Sequence, residues 1–317
     1  MFDVACIGIL VADAITRTVD GFPARGKLTA IDSLQLYSGG CAMNASVDLK
    51  KLGCNVAVLG MVGNDGFGTF LKKELEQQAI NIDGLCITAQ AETSASVVLV
   101  DSGGERSFLH AVGANGLYRE QDVNYTVLAN STIVFVGGSL LMPGFDGEGC
   151  AKCLKRAKEM EKITVLDTAW DDSGRWMAAV APSLPYVDYF IPSADEAQML
   201  SGETEPHKMA DVFFGYGAKC VVIKLGKEGC YLQEAAEEKG SFIPACSGVA
   251  AVDTTGAGDS FCAGFLYGIS HGFSPHDACR LGNAVGAHCV MAVGATTGIK
   301  PYAQIKAFMD AQIEGEA

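Results

Sequence analysis

Six short, continuous apolar runs constrain the fold of this chain more than any other feature. They are VACIGIL (4–10), NVAVLGMVG (55–63), TIVFVGG (132–138), ITVLDTA (163–169), VDYFIPS (187–193) and KCVVIKL (219–225). Runs without polar alternation indicate strands that are covered on both faces. The segments with helical spacing are 42–52, 66–79, 147–162, 206–217 and the almost wholly helical 258–313. This alternation predicts an α/β fold with a mainly parallel central sheet and helices on both faces.

Two other stretches alternate between apolar and polar residues. Residues 14–38 and 94–113 contain LTAIDSLQLYS, SASVVLV and RSFLHAV. Such alternation is typical of a sheet with one face towards solvent or a ligand. We predict that the two stretches form one small lid sheet, inserted into a single domain of residues 1–317.

The composition argues against several classes of partner. A net charge of −14 disfavours nucleic acid and anionic membranes, because both require a basic face. The chain has no run of about 18 uninterrupted apolar residues, so we expect no transmembrane helix. The 12 cysteines are irregularly spaced, and the opening MFDVACIGILVADAI lacks the basic start of an export signal. We therefore expect a cytoplasmic protein with reduced thiols.

The stretch Gly256-Ala257-Gly258-Asp259 combines three small residues with one acid, directly before an apolar run. A helix that begins near Gly258 directs unpaired amides and a positive dipole end at one place. Such amides suit an anion, and a carboxylate beside them suits the removal of a proton from a hydroxyl. The pattern is typical of a phosphoryl-transfer centre, although an aspartate that only caps a helix has the same local sequence.

Two further groups of polar and small residues lie nearer the start of the chain. Gly39 and Gly40 end a lid strand, and Asn44 follows within the first turns of the next helix. Asp13 is expected at the carboxyl end of the first strand, where ligands of open α/β sheets bind. Glycines permit close approach of the backbone, while amides and carboxylates bind hydroxyl groups. Taken alone, the glycine pair with Asn44 is better explained by an ordinary strand-to-helix turn, and Asp13 is equally consistent with a cap or loop acid.

Two of these motifs carry a resemblance to a known family. GGCAMNASVDLKKLG (39–53) and DTTGAGDSF (253–261) resemble, in the right order, the two signatures of the PfkB, or ribokinase-like, carbohydrate kinases. The resemblance covers essentially the whole chain, including both lid stretches and Gly113-Ala114-Asn115. It implies a three-layer α/β/α ribokinase-like fold and ATP-dependent phosphorylation of a hydroxymethyl group on a small sugar or polyol. We also expect the apolar face of the lid to pair with a second copy, giving a homodimer.

The resemblance assigns roles to individual residues. Asp259 matches the family's catalytic base, which takes the proton from the acceptor hydroxyl. The residues that match its anion hole are Gly256, Ala257 and Gly258. Those that match its sugar-binding positions are Asp13, Gly39, Gly40 and Asn44. We add His110, which precedes Gly113-Ala114-Asn115 on a lid strand, as a further substrate contact.

Other matches concern ATP and its ions. The residues that match nucleotide-binding positions are Ser193, Glu196, Lys224, Gly226, Gly229 and Asn283. Glu196 matches the glutamate that organises Mg²⁺, through water, and phosphate. A monovalent cation, usually potassium, is implied at Asp253, Thr255 and carbonyl groups near Gly294.

Two positions depart from the family's pattern. Ser193 stands where the family has asparagine, and a serine cannot reproduce the hydrogen bonds of an amide. After TIVFV, where ribokinases place an acidic sugar contact, this chain has Gly137-Gly138-Ser139. We therefore expect an acceptor that is held differently from ribose, or a different compound.

Three alternatives stay open at this point. A nucleoside kinase of the same fold requires a base pocket in the lid, which Leu36, Phe108 and Leu109 do not decide. A non-catalytic sugar-binding regulator is supported only by Ser193. A nucleotide-binding oxidoreductase requires a GxGxxG fingerprint after the first strand, and GILVADAI lacks it.

Overall fold

Strands and helices alternate along much of the chain. The structure, a computed structural model, describes residues 1–103 and 105–316, with side chains as far as residue 312. In chain order, its strands are β1 (Phe2–Gly8), β2 (Val11–Arg17), β3 (Ser33–Gly39), β4 (Val56–Gly63), β5 (Asn81–Thr88), β6 (Ala95–Val100), β7 (Arg106–Ala111), β8 (Ser131–Ser139), β9 (Ile163–Thr168), β10 (Tyr189–Phe190), β11 (Val221–Lys224), β12 (Cys230–Gln233) and β13 (Ser241–Ile243). Its helices are α1 (Cys41–Leu52), α2 (Gly66–Gln77), α3 (Tyr125–Ala129), α4 (Glu148–Glu159), α5 (Trp176–Val180), α6 (Ala194–Ser201), α7 (Pro206–Gly215), α8 (Ala257–Ser270), α9 (Pro275–Val290) and α10 (Tyr302–Glu316). Within the described ranges, no helix is both long and apolar enough to span a bilayer.

The main sheet contains nine of the described strands, in the spatial order β13-β12-β11-β10-β9-β8-β1-β4-β5. The strands from β11 to β5 in that order pair in parallel, whereas β12 and β13 are antiparallel additions at one edge. Parallel strands direct their carboxyl ends to the same edge of a sheet, where ligands of such folds bind. The predicted α/β class with a mainly parallel sheet is confirmed.

Each face of the main sheet packs against its own group of helices. Along β1, Val4 and Cys6 belong to one buried cluster, while Ala5 and Ile7 belong to the other. Successive strand side chains point to opposite faces, so the two clusters lie on opposite sides of the sheet. One cluster includes side chains of α1, α2, α8, α9 and α10, and the other includes those of α3 to α7. Burial on both faces explains why the strand sequences are continuous apolar runs.

A separate four-stranded sheet, in the order β3-β2-β6-β7, forms the lid. The predicted stretches 14–38 and 94–113 contribute to all four of its strands, but the sheet begins earlier, at Val11, and residues 18–32 form no strand. The opening apolar run, predicted to be one strand, is divided between β1 in the main sheet and β2 in the lid. A side chain at Gly8 would lie 2.0 Å from Gly137 O, so this glycine allows close packing where the chain leaves the main sheet.

Asn115 holds the crossing between the two sheets. Its Nδ2 donates to Leu10 O at 3.1 Å, and Leu10 N donates to Asn115 Oδ1 at 3.3 Å. One amide side chain therefore satisfies both backbone groups of Leu10, one of the two residues between β1 and β2. Asp13 consequently lies on lid strand β2, which corrects the prediction that it ends a strand of the main sheet.

Local sequence signals predict where the helices end better than they predict how many helices there are. Gly53 ends α1 in a left-handed conformation with φ of 114°, as favoured by glycine. The segment 258–313 contains three helices, because the chain turns after α8 and starts α9 at the cap Ser274 followed by Pro275. The short helices α3, α5 and α6 were not predicted, since each has too few residues for a clear periodicity.

Asp48 is a fully buried acid between α1 and α8. Ser260 Oγ donates to Asp48 Oδ2 at 2.6 Å. Burial raises the pKa of Asp48 well above its usual range, and Ser260 and Lys51 only partly oppose that rise. The folded protein therefore keeps a proton that the unfolded chain releases above about pH 4. Because the folded state then binds more protons than the unfolded state, this group lowers stability as the pH rises.

Asp48→Asn is expected to become more stable relative to the wild type as the pH rises from about 4 to about 8. Asparagine has the same shape but cannot ionise, so the pH-dependent cost disappears. Melting temperatures of both proteins across this range measure the difference. Asp211→Asn, on an exposed position of α7, serves as the control. A difference between Asp48→Asn and wild type that is constant with pH contradicts the expectation.

Candidate active site

A cleft of about 660 Å³ runs along the carboxyl ends of β9 and β11. The start of α8 and one face of α9 form its other walls. Its volume is in the range of ordinary ligand sites, roughly 300–1,000 Å³. The cleft brings together all the residues predicted for the base, the anion hole and the nucleotide: Ser193, Glu196, Lys224, Gly226, Gly229, Gly256, Ala257, Gly258, Asp259 and Asn283.

The turn before α8 shapes the centre of the cleft. Gly256 caps the helix with φ of 77°, and a side chain there would lie 2.6 Å from Ala295. The N–H of Ala257 donates to Thr254 O at 3.2 Å, so it is already engaged. The N–H groups of Gly258 and Asp259 belong to the first helical turn, whose amides have no carbonyl partner within the helix. These two amides are therefore the ones that the turn offers to an anion.

The carboxylate of Asp259 is held by residues at the start of α1. Asn44 Nδ2 donates to Asp259 Oδ2 at 2.8 Å, and Cys41 Sγ lies within 4.8 Å of the carboxylate. Burial raises the pKa of Asp259, while Asn44 and Lys224 oppose that rise. A raised pKa makes the carboxylate a stronger proton acceptor, and the bond from Asn44 fixes its orientation.

A buried ion pair stands beside Asp259. Lys224 Nζ, at the end of β11, lies 2.5 Å from Asp167 Oδ1, near the end of β9, and the two side chains are 12% and 2% exposed. Burial lowers the pKa of Lys224, but attraction to Asp167 outweighs it and raises that pKa well above its usual range. The ammonium lies 3.5 Å from where a Cβ of Gly258 would stand. A permanent positive charge therefore adjoins the amides of α8.

Ser193 and Glu196 form a capping box at the start of α6. Ser193 N donates to Glu196 Oε2 at 2.9 Å, and Glu196 N donates to Ser193 Oγ at 3.4 Å. Thr168 Oγ1 also donates to Glu196 Oε2, at 3.0 Å. The hydroxyl of Ser193 thus works as a helix cap, and the carboxylate of Glu196 is fixed at the wall of the cleft.

Gly226, Gly229 and Asn283 shape the far part of the cleft. The glycines bound the turn between β11 and β12, and a side chain on Gly229 would lie 2.1 Å from Ile243 O. Asn283 Nδ2 donates to Ile243 O at 3.2 Å and to Pro244 O at 3.0 Å. The amide of Asn283 therefore holds the chain after β13 against α9, which builds the cleft wall from inside.

Four polar side chains form a row across one face of the lid. Tyr37, Asp13, Ser96 and His110 lie directly opposite one another on β3, β2, β6 and β7. Ser96 Oγ is 3.1 Å from His110 Nδ1. Burial raises the pKa of Asp13. The hydrogen bond from Ser96 opposes this rise, and the negative charge of Asp259 adds to it. This lid row, Tyr37-Asp13-Ser96-His110, lies beside the start of α1, because a Cβ at Gly39 would lie 1.9 Å from Asp13 Oδ2 and Gly39 nearly adjoins the helix whose Asn44 binds Asp259.

Gly39 and Gly40 leave space that other residues use. A Cβ at Gly39 would lie 1.9 Å from Asp13 Oδ2, and one at Gly40 would lie 2.5 Å from Ile9 O. Gly40 also has φ of 93°, a conformation that strains other residues. The first glycine thus makes room for the carboxylate of Asp13, and the second for the backbone of the crossing segment.

The roles that the resemblance implies for Asp13 and for ATP predict that Gly39→Ala lowers kcat/KM for the acceptor by about 10²-fold and leaves KM for ATP nearly unchanged. The added methyl group displaces the carboxylate of Asp13, which can swing aside, so the fold survives. Steady-state kinetics with each substrate varied separately measure the effect. In an Asp13→Ala background, Gly39→Ala should add almost nothing. A full additional loss in that background would contradict this account of Gly39.

Comparison with known proteins identifies the family. The sequence profile of the pfkB family carbohydrate kinases matches residues 1–301. The chain belongs to this family. One similar protein is the 2-dehydro-3-deoxygluconokinase of Bacillus subtilis, which is 27% identical over 315 residues. That alignment covers 90% of this chain and 91% of the relative.

Solved structures have the same fold as this pfkB chain. Thermotoga maritima ribokinase aligns with a TM-score of 0.84 at 26% identity, covering 98% of this chain and 100% of that one. Arabidopsis thaliana ribokinase, solved with ribose and ATP, aligns with a TM-score of 0.85 at 23% identity, covering 97% and 98%. The fold is therefore ribokinase-like, with the four-stranded sheet as its lid, and the protein is an ATP-dependent carbohydrate kinase of the pfkB family.

Gly137 and Gly138, at the end of β8, are closely surrounded by other side chains. A Cβ at Gly138 would lie 2.7 Å from Ile9 Cγ1 and 3.2 Å from Cys41 Sγ. A Cβ at Gly137 would lie 2.7 Å from the ring of Phe135. The end of β8 is thus filled by neighbouring side chains, and no acidic side chain stands at either position.

The residues implied for a monovalent cation in this pfkB chain are engaged by protein groups. Asp253 Oδ1 accepts from Thr255 N at 2.8 Å and lies 2.6 Å from Nη2 of Arg106. Asp253 Oδ2 accepts from Gly294 N at 2.9 Å. As arranged, the carboxylate does not fit a potassium ion, because protein donors already engage both of its oxygens and one of these donors is a guanidinium.

Three residues at the site had no role in the sequence interpretation. Asp167 and Arg106 pair with residues far away in the chain, so no local motif marks them. Ser96 lies in an alternating strand that predicts a face but not a partner. The capping box Ser193-x-x-Glu196, by contrast, is readable from sequence and would have predicted α6.

Proposed function

We propose that the protein transfers the γ-phosphoryl group of ATP to a hydroxymethyl group of a small sugar or polyol, with Asp259 as the base. The position of Asp259 carries the proposal, since its carboxylate lines the cleft together with Lys224 and is held by Asn44, on the helix that follows lid strand β3. ATP then occupies the cleft, and the acceptor lies between the cleft and the lid. The whole chain acts as one kinase domain in the cytoplasm, with the lid inserted in it.

The phosphates of ATP fit the end of the cleft at α8. The amides of Gly258 and Asp259 and the helix dipole favour negative charge there. Lys224 adds a full positive charge 3.5 Å from the Cβ position of Gly258. These groups are fixed before ATP arrives, so they stabilise the charge on the transferred phosphoryl oxygens without reorganising.

Magnesium fits the donor set of the cleft. The carboxylates of Asp167 and Asp259 approach within 4.8 Å of one another, and Glu196 interacts with both. Mg²⁺ prefers oxygen ligands and keeps several waters. Glu196 would hold it through water, as the resemblance implies, and the ion would supply charge neutralisation for the phosphates. Potassium is not part of this proposal, because Arg106 engages Asp253.

The proton of the acceptor moves to Asp259. As the acceptor oxygen bonds to the γ-phosphorus, the bond from phosphorus to the β-phosphate oxygen breaks and ADP leaves. Asp259 takes the hydroxyl proton in this step, and Asn44 keeps its carboxylate in line. The raised pKa of Asp259 implies that activity falls as the pH drops below that pKa, when the base becomes protonated.

The lid row selects a polyhydroxylated acceptor. Asp13 accepts hydrogen bonds, while Ser96 and His110 can donate or accept them, so neighbouring hydroxyl groups find matching partners. Lid closure would exclude water and limit wasteful hydrolysis of ATP. A nucleoside acceptor and a binding-only role are the outcomes against which the proposal is tested.

The outer face of the lid supports a homodimer. The side chains of Leu34, Leu36, Val97 and Leu109 share the face opposite the polar row and are 65%, 37%, 39% and 56% exposed. A contiguous apolar face of this kind marks an association surface. Leu109→Glu is therefore expected to give a monomer in light scattering, whereas Phe242→Ser, at an exposed position of β13, should leave a dimer. A monomeric wild type contradicts the dimer.

ADP release from MgATP across a panel of sugars, sugar acids, polyols and nucleosides tests the function. Turnover on a sugar or polyol, lost in Asp259→Asn, supports the proposal. Turnover only on nucleosides makes the protein a nucleoside kinase. If folded protein binds a sugar, releases no ADP with any compound, and binds equally well as Asp259→Asn, it is a binding protein.

A further inference from the structure

Arg106 reaches from the lid to the turn that leads into α8. Its Nη2 lies 2.6 Å from Asp253 Oδ1. The Arg106 side chain is 15% exposed and that of Asp253 is completely buried, so the contact is not a surface ion pair. Thr255 N also donates to Asp253 Oδ1, at 2.8 Å, and Gly294 N donates to Asp253 Oδ2 at 2.9 Å, so protein groups engage both oxygens of the carboxylate.

The surrounding carbonyl groups also have protein partners. Lys51 Nζ donates to Thr296 O at 2.7 Å. Cys289 Sγ lies 3.2 Å from Thr255 O and 3.1 Å from Ala295 O, filling the space near both. The family resemblance assigns a monovalent cation to this acid and these carbonyl groups. Here the guanidinium of Arg106 contacts the acid, and the ammonium of Lys51 and the thiol of Cys289 contact the carbonyl groups.

We propose that Arg106 is a positioning residue that supplies the positive charge of this place from within the chain, so that the kinase needs no monovalent cation. The effect of Arg106 on catalysis rests on the proposed function, but the replacement of a cation by Arg106 can be tested without any acceptor. The guanidinium neutralises the buried Asp253 and lets its carboxylate keep the N–H groups of Thr255 and Gly294. Gly256 is the next residue after Thr255 in the chain. The contacts of Asp253 therefore also fix the turn that presents the amides of Gly258 and Asp259.

The contact also joins the lid to the phosphate end of the cleft. Arg106 is on β7, on the same face as His110, because residues four apart on a strand point to the same side. His110 belongs to the lid row that contains Asp13, whereas Arg106 bonds to the turn before α8. A lid in this position therefore completes the charge balance at Asp253. A potassium ion would supply charge but would not connect the two parts.

The test compares wild type, Arg106→Met and Arg106→Lys in potassium chloride and in N-methylglucamine chloride of equal ionic strength. Binding of the Mg²⁺ complex of AMPPNP, a non-hydrolysable ATP analogue, is measured by calorimetry, and melting temperatures are measured without nucleotide. Arg17→Met removes another lid arginine and is the matched control.

We expect wild type, Arg17→Met and Arg106→Lys to bind AMPPNP equally in both salts. Arg106→Met should bind about tenfold more weakly without potassium, and potassium or low guanidinium chloride should restore binding. Its melting temperature should rise with potassium, whereas that of the wild type should not. This melting readout holds even if no acceptor is found or AMPPNP does not bind, so failure of the proposed function is distinguishable.

Three results overturn the proposal. In the first, AMPPNP binding or the melting temperature of the wild type depends on potassium. In the second, Arg106→Met binds AMPPNP as tightly as the wild type without potassium. In the third, neither potassium nor guanidinium restores AMPPNP binding to Arg106→Met. If Arg106→Met does not fold, the wild type and Arg106→Lys decide. Indifference of both proteins to potassium supports the proposal, and activation of either one overturns it.

Discussion

Replacing Asp259 with asparagine is expected to lower kcat by about 10²–10⁴-fold, with little change in KM for MgATP. Asparagine keeps the shape of the side chain, and its oxygen can still accept the bond from Asn44 Nδ2. It cannot take the proton of the acceptor hydroxyl. The loss therefore falls on the chemical step rather than on ATP binding or folding, and steady-state kinetics with both substrates varied measure it.

Asp211→Asn, the exposed acid of α7, is the matched control and should keep full activity. Melting temperatures should be nearly the same for wild type and both variants. If Asp259→Asn kept kcat within about threefold of the wild type, another group would have to take the proton, and the role of Asp259 would be refuted.

Replacing Lys224 with methionine is expected to lower the free energy of unfolding by about 3–5 kcal/mol and to abolish most activity. The change leaves the buried carboxylate of Asp167 without its partner and removes the charge beside Gly258. Denaturant titration measures the first effect, and ADP release measures the second. The two effects have different causes, so they can be separated.

The double variant Lys224→Met with Asp167→Asn separates them. It contains no unpaired buried charge, so most of the lost stability should return, while activity should stay low. Recovery of both stability and activity would contradict the role given to the ammonium at the phosphates. Failure to recover stability would mean that the ion pair is not the reason for the loss.

The stretch 256–259 was readable from sequence because all of its parts are neighbours in the chain. Small residues, a helix start and an acid occur in four consecutive positions, so a local pattern predicts a local structure. The ten residues predicted for the base, anion hole and nucleotide do line one cleft. Their individual roles, apart from membership of this cleft, stay predictions.

The position of Asp13 was predicted incorrectly because the first apolar run continues across two sheets. Nothing in the local pattern signals that Gly8 must pass close to Gly137 or that Asn115 binds Leu10. Both contacts join segments more than a hundred residues apart, and only the folded structure brings them together. The roles of Asp167 and Arg106 could not be predicted for the same reason, because their partners Lys224 and Asp253 are also distant in sequence.

Phosphoryl transfer with Asp259 as the base is tested by following the labelled γ-phosphate of ATP in the presence of the acceptor that the panel selects. Wild-type protein should move the label into the acceptor, with little appearing as inorganic phosphate, and Asp259→Asn should move almost none. Label found only in inorganic phosphate, at equal rates in both proteins, would contradict phosphoryl transfer by Asp259.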